Sequence, residues 1–175
     1  MKSGNSIFAE DKHFFSIFLN QEVVSIPTDF NGKNRSQLSI QTEILEKIVP
    51  GNYKACLIFG HADDEKDFVQ GALTDKILQA IQMTFEDVLI INLRGGSLPF
   101  YKIQQKIDLP DKIILFGVDA TQIQLNFYLR ADRPFQFDRF TFIQAPALET
   151  IPKDVEAKKV FWKVLQSVFI KKADH

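Results

Sequence analysis

The sequence predicts an α/β fold: a three-layer α/β/α sandwich with a four-stranded parallel central sheet and an N-terminal helical extension. Three observations carry this reading. Continuous apolar runs recur at residues 55–59, 88–93 and 113–118, with a weaker fourth at 140–143. The first three do not alternate with polar residues, as expected of strands buried on both faces. Segments of helical spacing separate the runs, and strand–helix alternation of this kind builds a parallel sheet through right-handed crossovers.

Taken in chain order, Ser6 suits the cap of a helix carrying Phe8, Phe15, Phe18 and Leu19, with Phe14 beside that stripe. Glu22 to Ile26 read as a short strand-like segment ended by Pro27. Residues 28–36 are polar, contain Asn-Gly and read as a loop. A helix opens near Ser36, buries Ile40, Ile44 and Ile48 at i, i+4 and i+8, and stops at Pro50-Gly51. After the first strand comes a helix through Leu73, Ile77, Leu78 and Ile81, with Thr74 or Asp75 near its start. Ser97 is a candidate cap for a helix over 99–108, with Phe100, Ile103 and Ile107 inward. Asp119 is expected to cap another over 120–129. The last and longest, over 154–170, turns Phe161, Trp162, Val164, Leu165, Val168 and Phe169 inward, and its Lys171-Lys172 end suits the helix dipole. The chain thus divides into an N-terminal extension, 1–52, packed on an α/β/α domain, 53–175.

Composition narrows the function. At 175 residues, 45% hydrophobic and 25% charged, the chain has room for one globular domain. Lys+Arg 21 against Asp+Glu 22 leaves a formal charge of −1, so no bulk positive field draws it to DNA or anionic lipid. One cysteine, Cys56, excludes an internal disulfide, a cysteine-rich zinc site and a four-cysteine cluster, and its apolar strand makes it an inert core thiol. No apolar run approaches about 18 residues, so no membrane span is expected. Acidic residues near the N-terminus stand where a signal peptide needs an apolar stretch, so the expected location is cytoplasmic. Phenylalanine is over-used, 17 against Trp 1 and Tyr 3, which hints at an interface as well as a core.

In parallel sheets ligands bind at the carboxyl ends of the strands, near a switch in strand order. Those ends carry Gly60-His61-Ala62-Asp63-Asp64, Asn92-Leu93-Arg94-Gly95-Gly96, Gly117-Val118-Asp119 and Gln144-Ala145-Pro146. The acids from Asp63 to Asp67 fit a solvated loop that favours the next helix's N-terminus better than they fit a metal site, since no second histidine or carboxylate pair stands at a matching strand end. Arg94 to Ser97 offer backbone N–H groups and a guanidinium to a phosphate, yet lack the P-loop spacing and read first as a plain turn. His61 is the only well-placed histidine, His13 lying in the extension and His175 at the terminus, so a nucleophilic triad has little support. The lysines of the last helix alternate with Asp154 and Glu156, as on a solvated face. The Phe14, Phe15, Phe18 stripe suits either core packing or a groove on a partner.

The region from Tyr53 to Phe169 resembles the uracil-DNA glycosylase superfamily. The resemblance lies in Gly60-His61-Ala62, Asp67 to Ala72, Leu78 to Ile81, the strand 87–92 ending in Asn92, Ile114 to Gly117, Gln144 to Leu148, and Lys158 to Trp162 with Leu165. It implies the sandwich fold and a pocket of Gly60, His61, Asn92, Arg94 and Pro146. The departures imply a lost reaction. His61 stands where the family places a water-positioning polar group, and Ala145 stands where its histidine stabilises the departing base. The chain is more similar to a non-catalytic branch, the psi subunits of bacterial DNA polymerase III. Leu73 to Ile81, Ala145 to Leu148 and Lys158 to Trp162 carry that likeness.

The expected function is therefore a non-catalytic interaction subunit of DNA replication or repair, with a protein partner met by Phe14, Phe15 and Phe18 and with no metal or cofactor. The alternatives are a divergent glycosylase-like enzyme and a nucleotide or single-stranded DNA-binding module, both using the crevice at the strand ends.

Overall fold

The computed structural model describes residues 32–61 and 71–170, and its order is built on the apolar runs. Helix α1 (Gly32–Lys47) leads to β1 (Ala55–Phe59), α2 (Ala72–Ala80), β2 (Val88–Asn92), α3 (Phe100–Lys106), β3 (Lys112–Phe116), β4 (Phe135–Phe137), β5 (Phe140–Ala145) and α4 (Val155–Phe169). Short 3-10 turns lie at Phe85–Asp87 and Ala120–Ile123. The N-terminal helix and strand-like segment read from residues 6–27 lie outside the described residues.

The sheet has five strands in the order β2-β1-β3-β5-β4. Four are mutually parallel, with Phe59 opposite both Asn92 and Phe116, and Phe116 opposite Ala145. The fifth, β4, is antiparallel to β5. A purely parallel four-stranded sheet was the expectation, and the extra edge strand corrects it. The missed signal is the alternation Phe135, Phe137, Phe140, Phe142 around Asp138-Arg139, which closes a two-residue hairpin turn with Asp138 at φ +52°.

Every residue of β1 is fully buried because the sheet is covered on both faces. Cys56 and Ile58 join Ile44 of α1, Ile48 just beyond its end, Phe100 and Ile103 of α3, and Phe140 and Phe142 in one apolar cluster. Ala55, Leu57 and Phe59 join Ile77 and Leu78 of α2 and Phe161, Val164 and Leu165 of α4 in the other. Phe59 stacks on Phe116 at 4.9 Å, and Phe116 meets the Phe161 ring edge-on at 5.7 Å.

Three helix readings change. Helix α1 begins at Gly32, inside the stretch read as a loop. Its residues Ser36, Gln37, Leu38 and Ser39 are exposed, so this turn adds nothing to the buried stripe that marks the helix in the sequence. Helix α3 starts after Pro99, with no side-chain cap. Ser97 is engaged elsewhere: its Oγ accepts from Gln37 Nε2 at 2.7 Å, and its carbonyl accepts from Gln41 Nε2 at 2.8 Å. The helix expected over 120–129 is only a 3-10 turn. Asp119 does cap it, accepting from Thr121 N, but the turn ends at Gln124 with φ +56°. From its last residue on, Ile123 and Leu129 are buried and Leu125 and Phe127 half-buried, while Gln124, Asn126 and Tyr128 are exposed. That burial has a period of two, which belongs to extended chain.

Candidate functional site

The strand order reverses between β1 and β3, and Gly60 and Gly117 follow those two strands. The Gly60 N–H donates to Phe116 O at 3.3 Å, and its carbonyl accepts from Gly95 N at 2.6 Å. A Cβ at Gly60 would lie 2.9 Å from Gly117 O, so the two strand ends touch through backbone. Gly117 sits at φ +61° and donates to Ala145 O at 3.0 Å. A Cβ there would meet Ala147 Cβ at 2.9 Å. Glycine is required at both positions, for close approach at the first and for approach and left-handed backbone at the second.

The turn after β2 is equally closed. Asn92 is 7% exposed, and its Oδ1 accepts from Arg94 N at 2.8 Å. That bond holds Arg94 at φ +52°, followed by Gly95 at φ +73°. Gly95 N donates to Gly60 O, and Gly96 N donates to Leu93 O at 2.8 Å. The three successive amides thus donate within the protein, as in the plain turn expected here. The Arg94 guanidinium reaches Glu43 Oε1 of α1 at 2.7 Å, and Lys47 meets the same oxygen at 3.1 Å. The Lys47 and Arg94 hydrogen bonds hold the Glu43 carboxyl below its usual range. Beneath them a cavity of about 90 Å³ is lined by Ile44, Ile48, Ile90, Ile91, Asn92, Lys47 and Arg94.

The structure brings Gly60, Asn92 and Arg94 around one crest. Pro146 follows β5, three strand spacings from β2, or about 14 Å across the sheet. Ala145, which precedes it, is buried in the apolar cluster below. Gln144 turns its Nε2 to Val118 O at 3.0 Å. His61 is exposed at the end of β1. The acids that follow it, Asp63 to Asp67, lie outside the described residues, as do His13, His175, Phe14, Phe15, Phe18, Lys171 and Lys172. Among the described residues no group of three His, Cys, Asp or Glu stands together as a metal would need, and no helix is long and apolar enough to cross a membrane. Cys56 is fully buried, and desolvation pushes its thiol pKa far up, so it stays protonated and unreactive.

Sequence reasoning missed one surface. Tyr128 is 84% exposed and lines an open groove with Arg130, Ala131, Asp132 and Val160 of α4. Its signal was the period-two phase of residues 123–129, which turns Tyr128 outward with Gln124 and Asn126. No protein-family model matches the chain, and no curated protein matches it.

Proposed function

We propose that the chain is a non-catalytic interaction subunit of DNA replication or repair, similar to the psi subunits of bacterial DNA polymerase III on a uracil-DNA glycosylase-like sandwich. The observation that supports this best is the engagement of the crest. The Asn92 side-chain oxygen is already an acceptor for Arg94 N, and the 94–96 amides all have acceptors within the chain. A glycosylase needs donors aimed at the leaving base, and the position ahead of Pro146 holds a methyl group, Ala145. A docking body needs neither. Its binding energy comes from a few buried aromatic anchors, for which Phe14, Phe15 and Phe18 are the candidates.

The test is Phe15→Asp in the full chain. Co-purification of replication or repair proteins should disappear while the melting temperature stays unchanged. A fall in melting temperature with partners retained would place the stripe in the core and remove the proposed contact.

A further inference from the structure

The extended segment between the 3-10 turn and β4 turns polar side chains outward, and Tyr128 is the aromatic exception among Gln124, Asn126 and Arg130. Tyr128 lines an open groove of about 450 Å³ together with Arg130, Ala131, Asp132 and Val160 of α4. On its rim Asp132 holds Arg130 in a fork, Nε to Oδ1 at 2.8 Å and Nη2 to Oδ2 at 2.6 Å, which fixes the guanidinium plane. Arg133 follows directly, and Lys163 lies one helical turn on from Val160. Neither has an ion pair among the described residues, whereas Lys159 is paired with Glu156 at 2.8 Å. Once the Arg130–Asp132 and Lys159–Glu156 pairs cancel, this surface stays positive on a chain of formal charge −1. A flat exposed ring, a fixed guanidinium and two further cations close by in the chain, Arg133 beside Asp132 and Lys163 on the helix of Val160, match a nucleobase with its flanking phosphates.

We propose that this groove binds single-stranded nucleic acid, with a base stacked on Tyr128 and phosphates on Arg133, Lys163 and the outer N–H groups of Arg130. The site lies away from the crest of Gly60 and Asn92, and it does not rest on the interaction-subunit reading.

Fluorescence anisotropy of the full chain with labelled dT20 and rU20 tests it. Binding of either strand at 50 mM salt is expected, and the tighter of the two names the source. It should weaken with a log–log salt slope of about −1.4 to −2, for two or three phosphates. Tyr128→Ala should weaken binding about 5- to 100-fold with no change in melting temperature, and Tyr128→Phe should retain it. Arg133→Glu combined with Lys163→Glu should abolish it. Three results would overturn the proposal: no binding of either strand at 50 mM salt, unchanged affinity in Tyr128→Ala, or equal competition by polyglutamate, which would mark a groove for any acidic chain.

Discussion

Asn92 is legible in the sequence as a polar residue ending an apolar strand. Its chemistry was not legible there, because the bond it makes depends on Arg94 adopting φ +52° two residues on. Asn92→Ala should cost about 1 kcal/mol in urea denaturation by removing the acceptor of the Arg94 amide. Asn92→Asp, which keeps an oxygen there, should cost less. The glycines separate strain from crowding. Gly117→Ala combines a positive φ with a 2.9 Å approach to Ala147, whereas Gly95→Ala at φ +73° meets nothing within 4 Å. Both carry the left-handed penalty of about 1–2 kcal/mol, and only Gly117→Ala should exceed it in the same measurement. Asp87 supplies a pH signature. Hydrogen bonds from the Lys54 ammonium at 2.8 Å and from the Thr84 amide and hydroxyl, each at 2.9 Å, lower its pKa from 3.8 to about 2. A carboxylate depressed on folding stabilises fully above its unfolded pKa and loses that contribution as pH falls through its folded one. Denaturation midpoints should therefore drop between about pH 4 and pH 2, and Asp87→Asn should flatten that part of the curve.

The four parallel strands were legible because burial on both faces leaves unbroken apolar text, as in Ala-Cys-Leu-Ile-Phe. The same rule hid β4. A three-residue edge strand with one half-buried residue and two exposed ones reads as a loop unless its alternation is counted through the hairpin. The helix expected over 120–129 failed for a related reason, its apolar residues recurring every second position. The ring ladder of Phe59, Phe116 and Phe161 couples β1, β3 and α4. Phe116→Ala should cost about 3–5 kcal/mol in calorimetry or denaturant titration, as large core truncations do. A loss under 1 kcal/mol would mean that the second apolar cluster is not a packed core.

At the scale of the whole molecule, the sequence pointed to the carboxyl ends of the strands as the place to look, and Gly60, Asn92 and Arg94 do gather there. What it could not convey is that backbone contacts already engage their polar groups, since hydrogen-bond saturation is a property of geometry and not of residue type. A crest whose donors and acceptors face one another agrees with the docking role proposed above. The most direct check is incubation of the purified chain with uracil-containing single- and double-stranded DNA, followed by a count of abasic sites. The account predicts none above background in both the natural chain and His61→Ala. Abasic sites formed by the natural chain and lost in His61→Ala would contradict it.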